Sequence, residues 1–334
     1  APVSASNDGR RYFAAAGARY AEAAFDADLA GGEQLVRYVI GIDAGGTKTV
    51  GLLADEQGNI STKARGGGAN LVVHGELAAE KVLYQIIEDL EAPGPVAAIC
   101  LGMAGVDRNE DKEIAAGILR RLGMRRAVSI VPDPLIALVA GAPEGIGIVV
   151  VAGTGSIAYG VDPQGKMARS GGWGYLLGDE GSAFWLGHAA IRQGIRALDG
   201  RGPATTLFER IAEKLDLAVP DGLVKWFYDQ ELSRHRVAEL ASVVEEAAND
   251  GDDAASSLLD QAAQHLARAG RSVERQLEFE DSFPLVQAGG VFKACPSLHL
   301  RLEATLALPQ AQPIRLEGEP AQGAVTLALQ LLDS

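Results

Sequence analysis

The chain has 334 residues, enough for two domains of ordinary size, and 47% of them are hydrophobic, as in a typical globular protein. Its formal net charge of −14 provides no long-range attraction to nucleic acid or to an anionic membrane. A phosphate site would therefore have to use local backbone donors and a metal ion. The two cysteines lie far apart and lack metal-ligand spacing, so we expect neither structural zinc nor a disulfide framework.

The start of the chain is rich in alanine and precedes the first predicted strand. Its pattern predicts a helix from Arg10 to about Leu29, ended by Gly31-Gly32, and we interpret residues 1–37 as a helical extension without an assigned role. It lacks the apolar core of a secretory signal, and no apolar run reaches membrane-spanning length. We therefore expect a cytoplasmic protein that binds neither nucleic acid nor membrane.

A regular α/β pattern begins at Tyr38, where two β-runs flank a Gly-rich turn. A turn signal at 56–59 and a Gly-rich loop at 66–70 follow. The periodicity then predicts a helix near 76–90, a strand at 96–106, a helix near 109–122 and a strand at 127–131. This first unit ends at the Pro-Asp-Pro sequence 132–134.

The stretch 145–167 repeats the opening theme, with a buried strand, a short loop of Gly, Thr and Ser, another strand and a hairpin turn. Such an internal echo predicts two similar half-molecules. Further on, the periodicity predicts mostly helices over 180–280, a strand at 285–288 that enters a Gly turn, and a final helix from Ala321. The alternation favours the α/β class, with helices layered on sheets.

Two glycine-rich loops, at 43–48 and 153–156, each join two predicted strands. Glycines let the backbone turn tightly and direct N–H donors at phosphate oxygens, while Asp43 can hold Mg²⁺ through water and Thr47 can add a hydroxyl. One such loop alone is explained equally well as a simple turn, and neither is a Walker A or Rossmann motif. Two together would grip a triphosphate from both sides of an interdomain cleft.

Two aspartates are candidates for chemistry. Asp133 follows an apolar strand and lies between prolines, so its carboxylate is fixed where it could accept a proton from a hydroxyl nucleophile. The residues alone favour a simpler role, capping the following helix. Asp179 lies near the start of a helix beginning at Ser182, where it could complement the helix dipole or bind a ligand. No histidine is assigned chemistry.

These segments together resemble the N-acetylglucosamine kinases, which group with the BadF/BadG-type ATPases in the hexokinase/actin/Hsp70 (ASKHA) superfamily. The resemblance runs by motif from Tyr38 to the C-terminus, and its most specific part is Ser170–Ser182, SGGWGYLLGDEGS. It implies an α/β fold of two ribonuclease-H-like (actin-like ATPase) domains flanking an interdomain cleft. The implied domains are 38–142, joined by the C-terminal helix 321–334, and 143–320, which carries the sugar-site block and a helical insert.

The implied activity is ATP-dependent phosphorylation of an amino sugar at its 6-hydroxyl, most simply N-acetyl-D-glucosamine. Glucosamine is the main alternative substrate, and N-acetylmannosamine, N-acetylmuramic acid and glucose stay open. ATP and Mg²⁺ are the implied cofactors, and a homodimer the implied assembly. One rival within the superfamily is the activase of 2-hydroxyacyl-CoA dehydratases, which needs paired cysteines for an iron–sulfur cluster. Another is a non-catalytic sugar sensor, which would carry a helix-turn-helix and a zinc motif.

The resemblance also assigns roles to individual residues. The catalytic base is Asp133, and Asp43 positions the metal. The sugar-binding set is Asn70, Asp133, Ser156, Gly172, Trp173, Gly174 and Asp179. The nucleotide-binding set is Gly45, Gly46, Thr47, Lys48, Gly153, Thr154, Gly155, Ala238, Gly289 and Gly290.

Overall fold

The computed structural model describes residues 36–106, 108–124, 127–217, 221–229 and 233–332. The helix predicted at 10–29 lies outside these ranges. The chain divides into two compact units. The first contains the described residues up to Gly147, the segment Val161–Met167 and those from Leu316 onward, and the second contains Ile148–Gly160 and Ala168–Arg315.

Ten strands and thirteen helices make up the described part of the chain. The strands are β1 (Tyr38–Ala44), β2 (Lys48–Asp55), β3 (Ile60–Gly67), β4 (Val96–Met103), β5 (Ala127–Pro132), β6 (Gly147–Ala152), β7 (Ser156–Val161), β8 (Met167–Gly171), β9 (Phe283–Ala288) and β10 (Ala311–Arg315). The helices are α1 (Leu71–His74), α2 (Glu76–Asp89), α3 (Asn109–Arg121), α4 (Asp133–Gly141), α5 (Ala183–Leu198), α6 (Leu207–Lys214), α7 (Asp221–Phe227), α8 (Arg234–Ala238), α9 (Ala241–Asn249), α10 (Asp253–Glu274), α11 (Gly290–Ala294), α12 (Ser297–Leu306) and α13 (Ala321–Gln330).

The first unit is built on a five-stranded sheet with the order β3-β2-β1-β4-β5. The strands β1, β2 and β3 pair antiparallel, whereas β1, β4 and β5 pair parallel. One face is covered by α13, which approaches β1 so closely that a Cβ at Gly41 would lie 2.4 Å from the Val325 nitrogen. The opposite face receives α2, whose Ile86 would meet a Cβ at Gly51 at 2.5 Å. The sheet is therefore the middle layer between helices.

The second unit has its own five-stranded sheet, with the order β10-β9-β6-β7-β8. The strand β9 pairs parallel with both β6 and β10. Helices α5 to α12 supply most of the core, in which the side chains of Leu186, Leu259 and Leu302 are fully buried. Because the loop between the adjacent strands β6 and β7 has only three residues, the strands must run antiparallel.

The strongly periodic helices were predicted within a residue, since α2 and α3 cover the expected 76–90 and 109–122. The strand predicted at 96–106 is shorter and ends at Met103. Its extension was wrong because Ala104 and Gly105 turn, with Gly105 at a φ of 84°. None of the helices in the described residues combines the length and apolarity that a membrane span needs.

Candidate active site

The first phosphate-loop candidate joins β1 to β2 in the first unit. Its turn is closed by a 3.1 Å hydrogen bond from the Gly45 N–H to the carbonyl of Lys48. The loop is held from outside by the Ala69 N–H, which donates to the Gly45 carbonyl, and by His74 Nε2, which lies 2.8 Å from the Gly46 carbonyl. This role of His74 was not predicted from the sequence. These bonds fix the loop. A Cβ at Gly46 would meet nothing within 4 Å, and Thr47 is exposed.

Asp43 and Asp133 come together at the carboxyl edge of the parallel strands. Asp43 is the second-last residue of β1, and Asp133 follows β5 as the first residue of α4. Between them, Gly102 of β4 pairs with both Asp43 and Val131, so no side chain from β4 separates the two carboxylates at this level. Parallel strands end at the same edge of a sheet, which is where ligands bind in open α/β folds.

The pKa of Asp43 shows that the two carboxylates repel each other. Burial, followed by the negative charge of Asp133 and that of Glu319, raises the pKa of Asp43 to about 7, although Lys48 opposes the shift. A divalent cation beside these carboxylates would relieve this cost. No cluster of three or more potential metal ligands occurs in the ranges that the structure describes, so Mg²⁺ would need ligands from water and phosphate. This arrangement fits a metal that binds together with a nucleotide.

Asn70 caps the short helix α1 in the first unit. Its Oδ1 accepts hydrogen bonds from the backbone N–H groups of Val72 at 2.9 Å and Val73 at 3.2 Å. The capping therefore occupies the oxygen and leaves the amide NH₂ as the group that can donate to a sugar hydroxyl. The family resemblance implies Asn70 as a sugar ligand, and its amide NH₂ is the group that could serve.

The second phosphate-loop candidate, Gly153–Gly155, joins β6 to β7 in the second unit. The Gly153 N–H donates to the Gly155 carbonyl at 2.8 Å, and the Gly153 carbonyl accepts from the Ala183 N–H at the start of α5. A Cβ at Gly155 would lie 2.6 Å from an oxygen of Asp179. The loop and the sugar-site block Ser170–Ser182 are thus in direct contact within this unit.

Asp179 is held in an unusual backbone conformation, with a φ of 59°. The residue is only 7% exposed, and its Oδ1 accepts from the Gly174 N–H at 3.2 Å. Burial raises the pKa of Asp179, while hydrogen bonds from the backbone of Ser156 and Gly174 and the charge of Arg234 oppose the rise. The carboxylate is therefore fixed by its own unit, and strain at such a position is typical of functional sites.

The other predicted sugar residues of the second unit surround Asp179. Ser156 is buried, and its hydroxyl donates to the Glu180 carbonyl at 2.9 Å, so it is left to act as an acceptor. Gly172 and Gly174 have φ values of 71° and 85°, which only glycine adopts easily. Trp173 between them is 66% exposed, and the Arg169 guanidinium lies 4.7 Å from its ring centre. Trp173 is therefore available to a ligand rather than part of the core.

The predicted adenosine turn lies beside the second phosphate loop, because Ala288 of β9 pairs with Val151 of β6. Gly289 has a φ of 113°, and a Cβ there would come within 2.3 Å of the Ala152 carbonyl. Gly290 opens α11, and its Cβ would meet nothing within 4 Å. Ala238 differs from the rest of the nucleotide set, because its side chain is buried in the core of the second unit.

Glu319 belongs to the phosphate-loop environment although the sequence did not point to it. Its carboxylate is 3.3 Å from Lys48 Nζ, 2.8 Å from Lys63 Nζ and 3.0 Å from an Arg65 nitrogen. Burial alone would raise the pKa of Glu319, but the hydrogen bonds and charges of these three cations lower it to about 2. Since 271 residues separate Glu319 from Lys48, no local pattern could have found the contact.

Fold and site together define the class: an α/β protein of the actin-like ATPase type, with two five-stranded sheets and a glycine-rich loop at each. The chain belongs to the BadF/BadG/BcrA/BcrD ATPase family, whose model matches residues 40–328. A candidate N-acetylglucosamine kinase from Chromobacterium violaceum has a similar structure, with a TM-score of 0.72 and 28% identity over 88% of this chain and 99% of that one. The predictions of the family and of the fold class are confirmed.

Two curated relatives align along nearly their whole length. An N-acetylmuramic acid/N-acetylglucosamine kinase from Clostridium acetobutylicum is 34% identical over 88% of this chain and 98% of that protein. An N-acetyl-D-glucosamine kinase from Dictyostelium discoideum is also 34% identical, over 87% of this chain and 97% of that protein.

Proposed function

We propose that the chain is an ATP-dependent sugar kinase that transfers the γ-phosphoryl group to the 6-hydroxyl of N-acetyl-D-glucosamine. The observation that carries this proposal is the similarity, over 88% and 87% of this chain, to two curated kinases that share N-acetylglucosamine in their names. The paired carboxylates Asp43 and Asp133 at the sheet edge supply the chemistry that such a kinase needs. The comparisons therefore support the kinase prediction over the activase and the sensor.

In the proposed mechanism, the oxygen of the sugar 6-hydroxyl attacks the γ-phosphorus, and the Asp133 carboxylate accepts the proton of that hydroxyl. The bond from the γ-phosphorus to the β,γ-bridging oxygen breaks, and ADP leaves with that oxygen. Asp43 would hold Mg²⁺ through water, and the ion would offset the negative charge of the phosphates when bound. Thr47, Thr154 and the glycine N–H groups of both loops would bind phosphate oxygens.

Sugar recognition in this proposal rests on fixed hydrogen-bonding groups. The amide NH₂ of Asn70 would donate, the Ser156 oxygen and the Asp179 carboxylate would accept, and the exposed Trp173 offers a ring face. Gly172 and Gly174 would present backbone to the ligand. The adenosine would bind at Gly289-Gly290, where the missing Cβ of Gly290 leaves open space beside the backbone.

A second substrate is favoured by a specific observation, because the Clostridium relative is named for N-acetylmuramic acid as well. The test is coupled ADP release with Mg·ATP against N-acetylglucosamine, N-acetylmuramic acid, glucosamine, N-acetylmannosamine and glucose. We expect the highest kcat/KM for N-acetylglucosamine. A preference for another sugar would replace the substrate, and ADP release that no sugar stimulates would refute the kinase proposal.

We also propose a homodimer, which the resemblance implies. Light scattering coupled to size-exclusion chromatography would give the mass in solution directly. A mass near twice the 34.8 kDa of the chain is expected, and a mass of one chain across the concentration range would contradict it.

A further inference from the structure

A row of cations lies on one face of the antiparallel pair β2–β3 in the first unit. The register places Lys48 opposite Gly67, Val50 opposite Arg65 and Leu52 opposite Lys63. Paired residues share a face and the faces alternate along a strand, so the side chains of Lys48, Arg65 and Lys63 extend from the same face. Since β3 is an edge strand, this row borders the sheet.

Toward the centre of the sheet, this face is covered by α13. Gly41 of β1 pairs with Leu52, and α13 lies directly over Gly41. Glu319 comes two residues before α13 begins and reaches from there to the cation row. We call Lys48, Lys63, Arg65 and Glu319 the basic patch.

The basic patch keeps an excess of positive charge. Three cations meet one carboxylate, so the four side chains carry a net charge of about +2 at neutral pH. Glu319 is 17% exposed, whereas Lys48 and Arg65 are 64% and 67% exposed. The negative member is therefore shielded by the positive ones, and solvent meets mainly the cations.

The basic patch reaches the first phosphate loop. Lys48 follows Thr47 directly, and both Lys48 and Glu319 act on the carboxyl of Asp43, whose pKa the first lowers and the second raises. A chain with a net charge of −14 repels a nucleoside triphosphate at long range. A local positive field at the loop counters that repulsion where the nucleotide must arrive.

We propose that the basic patch is an electrostatic docking surface for the phosphate groups of the nucleotide, in which Lys63 and Arg65 speed its association and Glu319 limits it. This inference rests on the proposed function, because it takes ATP as the ligand of the loop. A simpler interpretation is that the cations only protect an edge strand and hold the start of α13. The two interpretations predict different effects of salt, and of the sign of a charge change, on the association rate constant of the nucleotide.

The test is stopped-flow binding of a fluorescent Mg·ATP analogue without sugar, at ionic strengths of about 0.02 M and about 0.3 M. The double variant Lys63→Gln/Arg65→Gln removes two positive charges from the basic patch. We expect its association rate constant to fall about 3- to 10-fold at low salt, with a much smaller loss at high salt. The dissociation rate constant should stay within about 2-fold, because electrostatic steering acts chiefly on association.

The variant Glu319→Gln changes the charge in the opposite direction. We expect faster association at low salt, by about 2-fold or more, whereas a purely structural role for Glu319 would give slower binding or none. The matched control is Lys112→Gln/Arg120→Gln on α3, which removes the same two charges from elsewhere in this unit. Its association rate should change little.

Three results would overturn the proposal. They are an equal loss in the control, a loss independent of salt in Lys63→Gln/Arg65→Gln, and slower binding in Glu319→Gln. Failure of the proposed function looks different, since the wild-type chain would then bind no Mg·ATP analogue or would release no ADP with any sugar. The KM for N-acetylglucosamine offers a further check, because that sugar is uncharged and its KM should not respond to the patch variants.

Discussion

Asp133 combines a strand end and a helix start in one position. The backbone fixes it as the first residue of α4, between Pro132 and Pro134, and the sheet brings it beside Asp43. An acidic residue in a first helical turn is common and needs no functional explanation. The negative charge of Asp133 also raises the pKa of the neighbouring Asp43 carboxyl, which makes the ionised pair costly for folding. A functional role would explain why two acidic residues lie together despite this cost.

For Asp133→Asn, we expect kcat to fall by about 100- to 10,000-fold, since an amide cannot accept the proton of the hydroxyl. The amide keeps the size of the side chain, so circular dichroism should match the wild type. The unfolding midpoint should match or exceed that of the wild type, because the repulsion between Asp133 and Asp43 is removed. Asp111→Asn is the control, because Asp111 occupies the first turn of α3 in the same unit. Near-normal turnover of Asp133→Asn would remove this residue from the mechanism.

Asp179 offers a second test at this scale. Asparagine tolerates the positive φ of 59°, so Asp179→Asn changes the charge and hydrogen bonding without forcing the backbone. We expect the KM for N-acetylglucosamine to rise about 10-fold or more, because a hydrogen bond to a charged acceptor is lost. The KM for ATP should stay within about 2-fold.

Asp216→Asn provides the matched control for this variant. Asp216 lies in the same unit, is exposed and also has a positive φ, of 51°. Its replacement should leave both KM values unchanged. Equal KM values for Asp179→Asn and the wild type would show that Asp179 fixes the loop without touching the sugar.

At the scale of elements, the turn from β9 into α11 contains two adjacent glycines, and a different physical reason accounts for glycine at each position. Gly289 is required by the fold, because its φ of 113° and the nearby Ala152 carbonyl exclude a side chain. Gly290 has open space around its missing Cβ, so packing does not require it. A ligand that needs bare backbone would account for Gly290.

We therefore expect opposite results from two alanine variants. Gly289→Ala should lower the free energy of unfolding by about 2–4 kcal/mol, measured by urea denaturation, through strain and overlap with Ala152. Gly290→Ala should unfold like the wild type or later, since alanine favours a helix. Its KM for ATP should nevertheless rise, and an unchanged KM would argue against adenosine binding at this turn.

At the scale of the whole molecule, Glu319 ties the C-terminal segment to the β2–β3 hairpin of the first unit. Its contacts with Lys48, Lys63 and Arg65 join parts of the chain more than 250 residues apart. The folded state holds the pKa of Glu319 at about 2, below the ordinary value of 4.5. A carboxyl whose pKa falls on folding stabilises the fold at a pH above its unfolded pKa.

The stability difference between wild type and Glu319→Gln should consequently depend on pH. We expect nearly the full difference at pH 7 and at pH 5 and a decline below about pH 4.5. Only a small part should remain near pH 2, where the unfolded state holds the proton and the folded carboxyl is about half protonated. Urea denaturation across this range measures it, with Glu110→Gln on α3 as an exposed control. A difference that grows as the pH falls would contradict the assigned ion pairs.

Much of the local structure followed from the sequence. The spacing of apolar residues placed α2 and α3, and the glycine-rich turns placed both loops between strands, because periodicity and turn chemistry depend on neighbouring residues. The end of β4 was misplaced because Gly105 at a positive φ interrupts an apolar run that looks continuous. The roles of Asp133 and Asp179 came from resemblance, since each residue alone fits a simple helix-start interpretation.

The sequence by itself determined the α/β alternation, the two loops and the family, since each depends on short motifs or local periodicity. Only the tertiary structure decided that Asp43 meets Asp133, because that requires the strand order β1-β4-β5 with parallel ends. It also decided the contacts of Glu319 with the cation row and of His74 with the phosphate loop. Such contacts arise when burial of apolar faces brings distant segments together, and no local pattern records which charged groups then meet.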